Sequence, residues 1–469
     1  MTTETRPKRK LFTRRVAGSE PSEHRLEFLD QTAFELMRAT GRSQLMQCIW
    51  VYEHPVDIDG LKRFHKNFTA SLGSRLIEPS PLPFGRPRWV DPVGPSAPIR
   101  FAEQARPRSE LMDWADELGT LPMDPEHGPA WHLVVQPLTD GSTAVSMLGS
   151  HCIGDGVGAL LAIFEAVTGN IRDIGYSPPK SRSTVQALRA DLRQAVRDLP
   201  LTARTAVKAA KLVAAQRKEL ARSRALQPAP EAGVDLDSTV VVPSVAVFVD
   251  AEQWDARAKA LQGNSYSLVA GFAAKLAEKV GRRRASDGAV TLVIAINLRE
   301  SLDDDRALAM AFANATVDPS QVTTDLTEAR GVVRTARETA KSEPDPTIEL
   351  LPLMPWLPKP AVKGVAELLF AYSEDLPVSC SNLGDLPPQL AQVDGTDAEY
   401  VLIRALDQHV TMREIQRSHG QLVVVSGRIN GKVVVSVEAY QIGAENTKPW
   451  LRALAAQTLA DFELTGSIE

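Results

Sequence analysis

Residues 131–168 constrain the fold more than any other part of the chain. Two apolar stretches, 131–138 and 143–149, flank Asp140-Gly141, a dipeptide suited to the backbone angles of a tight hairpin. The second stretch runs directly into Ser150-His151-Cys152-Ile153-Gly154-Asp155-Gly156, and residues 156–167 then have helical character up to Gly169. A second hairpin signal, Asn430-Gly431, sits between 421–429 and 432–440. Antiparallel hairpins interleaved with helices exclude a purely parallel, doubly wound sheet. The fold class expected is α+β (mixed α/β).

The remaining pattern supports two large halves. Helical spacing of apolar residues predicts helices at 28–39, 60–72 (capped by Asp59), 109–118, 251–261, 267–280, 328–341, 361–370 and 448–462. Strands are expected at 44–52, 240–249 and 378–381, and the apolar run 290–296 reads as a strand buried on both faces. The expected division is a disordered basic tail at 1–20, an N-terminal half at 21–178, a helical linker at 179–238 and a C-terminal half at 239–469. Pro200 is expected to split the linker into two helices.

Composition narrows the function classes. A formal net charge of −5 gives no overall footprint for nucleic acid. Charge is uneven, however: residues 180–226 hold twelve Lys or Arg against Asp191, Asp198 and Glu219. That stretch suits either a solvated linker or contact with anionic lipid or a CoA phosphate. Three scattered cysteines fit neither a disulfide framework nor a zinc site, so a cytoplasmic setting is expected and no metal. No apolar run reaches the ~18–20 residues of a membrane span, and no secretory signal is expected at the N-terminus.

Chemistry concentrates at His151. It ends an apolar strand, precedes Asp155 by four residues and is surrounded by Gly149, Gly154, Gly156 and Gly158. A neutral imidazole on such a loop is suited to take a proton from a hydroxyl near pH 7. Cys152 follows directly, so a Cys–His nucleophile is the competing assignment, disfavoured because adjacent residues at a strand end point apart. The other seven histidines have no accompanying pattern that a mechanism needs.

The stretch around His151 resembles the His-His-x-x-x-Asp-Gly motif of CoA-dependent acyltransferases and peptide-synthetase condensation domains. Further pieces, in order over residues 24 to 465, are similar to the bacterial wax ester synthase/diacylglycerol acyltransferase group. They are Phe28-Leu29-Asp30, Gly85-Arg86-Pro87-Arg88-Trp89-Val90, Met123-Asp124-Pro125 through Pro129-Ala130-Trp131, Asn297-Leu298-Arg299 with Ala313-Asn314, and Ser381-Asn382-Leu383-Gly384. The chain departs from the group at Ser150, where the motif has its first His, and at Ala313, where it has Gly. The Asn-Asp pair of the lipid-synthesising members would fall at Tyr266-Ser267 and is absent.

The resemblance implies two chloramphenicol-acetyltransferase-like halves, each a mixed sheet with helices, with a substrate path between them. His151 is then the catalytic base, with Asp155, Gly156 and a distant arginine, expected to be Arg299, supporting its loop. Oxyanion or substrate contacts are expected from Ser381, Asn382 and Asn297, or from backbone N–H groups at 154–157. The implied reaction moves a fatty acyl group from acyl-CoA, a co-substrate and not a bound cofactor, to an alcohol, at a membrane or lipid-droplet surface. One alternative is an ester or amide synthase fed by an acyl carrier protein; another is a catalytically silent lipid-binding homologue. The apolar stretch 348–357 is expected to pack in the core or to cover the substrate path.

Overall fold

A computed structural model describes residues 24–92, 97–225, 233–342, 348–362, 364, 373 and 375–469. The expected tail at 1–20 and most of the expected helix at 361–370 lie outside them. In chain order the first half contains α1 (Phe28–Thr40), β1 (Gln44–Tyr52), α2 (Ile58–Thr69), β2 (Leu76–Glu78), β3 (Arg88–Val90), β4 (Arg100–Phe101), α3 (Leu111–Leu118), β5 (Trp131–Pro137), β6 (Thr143–Ser150) and α4 (Gly156–Thr168). A long α5 (Thr184–Ala225) connects to β7 (Ser244–Asp250), α6 (Ala251–Ala260), α7 (Ser265–Lys279), β8 (Val290–Asn297), β9 (Met310–Val317), α8 (Thr327–Ser342), β10 (Val378–Asp385), β11 (Tyr400–Asp407), β12 (Gln421–Ile429) and β13 (Lys432–Tyr440). The helix Lys448–Asp461 and β14 (Ser467–Ile468) end the chain.

Two mixed sheets organise these elements, each with helices against it. The first has the order β11-β1-β6-β5-β4 and the second β14-β7-β13-β12-β10-β8-β9. Both hairpins read from the sequence form: β5 pairs with β6, and β12 with β13 across Asn430 (φ 47°) and Gly431 (φ 72°). Within the second sheet β10 lies parallel to both β8 and β12, and the three place their carboxyl ends together. That edge faces the loop leaving β6.

Some elements differ from the sequence reading. Helix α2 begins at Ile58 and is capped by Asp57, whose carboxylate accepts the Asp59 N–H. Helix α7 begins two residues earlier than expected, because Asn264 and Ser267 form a capping box. Strand β7 begins at Ser244, four residues later than expected. Strands β9 and β11 have no counterpart in the reading from sequence. The second of these also crosses the expected boundary: it pairs with β1 from Gln44–Asp407 through Val51–Tyr400, so part of the C-terminal stretch completes the first sheet.

Pro200 does not divide the linker, for α5 runs through it. Asp191 holds this helix in place: fully buried, it accepts from Arg25 at 2.9 Å, Arg182 at 3.3 Å and Ser80 at 2.5 Å. Tertiary contacts thus offset the lost helical hydrogen bond. Residues Ile348–Trp356 form a 3-10 segment with Pro352, Met354 and Pro355 buried, and Trp356 stacks on Phe84 at 4.8 Å. The stretch packs against α1 and α5, with Leu350, Leu351 and Leu353 half-buried and Trp356 exposed.

Arg404 on β11 joins the halves. Its Nε donates to Gln47 at 2.7 Å and its Nη1 to Asp116 at 2.6 Å and to Ser244, with the side chain 4% exposed. Truncating a buried ion-pair member strands its partners, so Arg404→Ala is expected to cost roughly 3 kcal/mol, read from the shift in urea midpoint. A midpoint equal to wild type would show that the halves do not depend on this contact.

Candidate active site

The strand β6 ends at Ser150, and the chain makes one 3-10 turn, His151–Ile153, before α4. Ser150 is buried, and its Oγ accepts the Cys152 N–H at 3.3 Å. A serine hydroxyl therefore caps the turn at the position where the resembling motif has its first histidine. The carbonyl of Ile153 accepts Nε and Nη2 of Arg75 at 3.3 and 3.0 Å, while Arg75 Nη1 reaches the Asp305 carbonyl at 2.7 Å. Arg75 is buried against the face of Trp89 and ties the turn to the second half.

Asp155 turns away from the turn and is saturated with donors. It caps α4, its Oδ1 accepting the Gly158 N–H at 2.8 Å. Arg299 Nη1 lies 2.7 Å from Oδ1 and 2.8 Å from Oδ2, and Oδ2 also accepts the Ala309 N–H at 2.8 Å. Arg299 spends Nη2 on the carbonyls of Arg306 and Ala307. One guanidinium nitrogen thus faces both carboxylate oxygens, rather than the two-nitrogen fork that such pairs often form. Both side chains are under 5% exposed. Gly158 allows this approach, since a Cβ there would lie 2.9 Å from Arg299 Nη2. Gly156 packs against the second half, its Cβ position being 3.3 Å from Leu383.

A parallel clasp lies next to it. Asp30 accepts the Leu308 N–H at 2.8 Å, so residues 308 and 309 are held by one carboxylate each from the first half. Burial raises the Asp30 carboxyl to about 6, opposed by the nearby Arg75 charge. The sequence reading noted Asp30 only as part of a similar segment. Arg75, Leu308 and Ala309 carried no signal, because two of these contacts are made by backbone groups.

His151 itself is half-buried. Desolvation lowers its pKa from the usual 6.5; the fields of Asp155 and Asp407 oppose the shift. Neutral imidazole is therefore the resting form at pH 7. Asp407 reaches the site through strand register: Leu45 of β1 faces Ser150 on one side and Leu406 on the other. Arg42 binds one Asp407 oxygen at 2.5 Å, and the other is buried without a hydrogen-bond partner. Cys152 packs inward, 3.8 Å from the Met37 sulfur, and burial pushes its thiol up to about 12. This removes the thiolate that a Cys–His nucleophile needs.

Two cavities lie in this region; only the first is lined by residues of the loop, and His151 lines neither. One, of about 40 Å³, lies beneath the loop and is lined by Met46, Phe68, Leu72, Trp131, Met147 and Leu161 among others. It has room for solvent but not for a fatty chain as it stands. The other, of about 70 Å³, opens at the carboxyl ends of β8 and β10 and brings Asn297 and Asn382 together with Tyr266 and Arg337. Each asparagine Oδ1 accepts a local backbone N–H, from Arg299 and Gly384 respectively, which leaves the amide Nδ2 to donate. Ser381 does not line this cavity; it sits in the ladder opposite Val425. The Asp155 N–H, one candidate oxyanion donor, is taken by the Ala307 carbonyl at 2.9 Å. No group of three or more His, Cys, Asp or Glu suited to a metal occurs among the described residues.

Residues 67–247 match the model of the wax ester synthase/diacylglycerol acyltransferase catalytic domain. The fold is that of a trichothecene 15-O-acetyltransferase from Fusarium sporotrichioides, at TM-score 0.56 and 10% identity over 93% of each chain. It is also that of the first condensation domain of the calcium-dependent antibiotic synthetase, in complex with a substrate analogue, at TM-score 0.54 and 13% identity over 94% of this chain and 96% of the other. No curated protein sequence matches the chain. By class, then, the protein is an acyltransferase built on the condensation-domain fold.

The clasp predicts strong coupling. Asp155→Ala and Arg299→Ala should each destabilise by about 3–5 kcal/mol, because each strands a buried charge. The double variant should lose far less than their sum. Additive losses in a denaturation cycle would contradict the pairing.

Proposed function

We propose that the chain is an O-acyltransferase that moves a fatty acyl group from a CoA thioester to an alcohol, with His151 as general base. The observation that carries this reading is a neutral, half-buried imidazole on a loop whose acid is wholly engaged by Arg299 and backbone donors. Asp155 therefore positions the loop and does not relay protons. His151 takes the acceptor hydroxyl proton as the oxygen attacks the thioester carbonyl. The tetrahedral oxyanion then collapses, the carbon–sulfur bond breaks, and His151 returns the proton to the departing thiolate. We assign Asn297 and Asn382, whose Oδ1 atoms each accept a local N–H and leave the amide N–H to donate, as donors to the thioester or the oxyanion. Ser381, which stays in the sheet, is a weaker candidate.

Acyl-CoA acts as co-substrate, and the work is done in the cytoplasm against a membrane or lipid-droplet surface. One feature favours a second reading, a condensation-type synthase fed by an acyl carrier protein. Where lipid-synthesising relatives have an Asn-Asp pair, Ser267 is spent on the α7 capping box and Tyr266 lines the cavity beside Arg337. Donor choice separates the two readings.

His151→Ala should lower kcat by about 10²–10⁴-fold, the usual scale for general-base assistance, measured as thiol release from octanoyl-CoA in the presence of a long-chain alcohol. Cys152→Ala should retain activity. Activity that survives His151→Ala and disappears in Cys152→Ala would reverse the assignment.

The pH profile has a fixed sign. Protonation of His151 removes the base, and its pKa lies below 6.5. The acidic limb of kcat/KM should accordingly fall below that value, with a plateau through pH 7. A limb centred above 6.5 would contradict a desolvated base.

A further inference from the structure

Helix α5 presents an aliphatic stripe to solvent. Val185, Leu188, Leu192, Val196 and Leu199 recur at steps of three and four, and all are between 37% and 57% exposed. At 100° per residue they share one face. Arg189, Arg193 and Arg197 form a row along one side of it. All three are exposed and make no ion pair or hydrogen bond among the described residues. The buried face of the helix, by contrast, carries Ala187, Asp191 and Ala195.

Rotation of the helix is fixed by that buried face. Asp191 is held by Arg25, Arg182 and Ser80, and Asp198 lies 3.8 Å from Arg86. The stripe cannot turn inward without breaking these contacts. An apolar ridge of this length is unusual on a monomer surface. Its form selects the partner. A convex helix offers no groove to a folded protein, but its aliphatic side chains can sink into an acyl layer while the flanking guanidinium groups stay among the headgroups. The unpaired row of arginines favours an anionic surface and disfavours a second copy bearing the same row.

We propose that the α5 stripe is the lipid-docking face of this protein, and that it takes an anionic bilayer surface. The proposal rests on the lipid-surface setting given under Proposed function and assigns it a face and a headgroup charge. No helix among the described residues is long and apolar enough to cross a membrane.

The test is co-sedimentation of the full chain with phosphatidylcholine vesicles, with and without about one third phosphatidylglycerol. Wild type should partition onto the anionic vesicles. A triple Leu188→Ser, Leu192→Ser, Val196→Ser variant should lose binding by about tenfold or more, and its circular dichroism and melting should stay native because these positions are exposed. A triple Arg189→Gln, Arg193→Gln, Arg197→Gln variant should lose the preference for anionic vesicles. His151→Ala should bind as wild type does, so that vesicle binding is read apart from catalysis. The proposal is overturned if wild type does not bind anionic vesicles or if the serine variant binds equally well. It is also overturned if sedimentation equilibrium shows a dimer that the serine variant abolishes.

Discussion

The contact between Asp155 and Arg299 is the constraint on which the site depends. It joins the first residue preceding α4 to a residue just beyond β8, across the boundary between two sheets. Its importance lies less in net stabilisation than in what its loss would leave behind. A buried pair of this kind roughly balances desolvation against attraction, whereas either member alone is a stranded charge. The pair is surrounded by backbone donors and acceptors on 306–309, so the loop carrying His151 is held from the second half as well as from its own strand. Asp30 and Arg75 repeat the device on either side. The halves thus meet through carboxylates and guanidiniums that address main-chain groups.

This arrangement sets the state of the imidazole. A histidine beside a free carboxylate would gain a proton; here the carboxylate is fully occupied and desolvation dominates. Asp407 adds a second negative charge across β1, partly neutralised by Arg42. The balance keeps His151 neutral, the form that a base acting on a hydroxyl requires.

Much of this was legible in the sequence where local rules act. The hairpins, the loop bearing His151, helix α4 ended by Gly169 and the two-half organisation follow from turn chemistry and periodicity. So did the expectation that Asp155 and Arg299 meet, although that came from a resemblance and not from spacing. Non-local facts escaped. Strand β11 reads as an ordinary apolar run, and nothing local shows that it completes the first sheet. Strand β9, Met-Ala-Phe-Ala-Asn-Ala-Thr-Val, is an edge strand rich in alanine and lacks a β-branched core. Pro200 marks a helix break by local rules; buried Asp191 overrides it. The apolar positions 185, 188, 192 and 196 recur at helical spacing, but only the structure shows that they face water.

The chemistry at His151 turns on one protonation state. Proton-detected or carbon-detected NMR of the full chain with labelled histidine, titrated between about pH 5 and 8, measures it without any assumption about substrate. The His151 resonances, assigned by their absence in His151→Gln, should report neutral imidazole at pH 7 and a midpoint below 6.5. A ring that is still protonated at pH 7 would contradict the account.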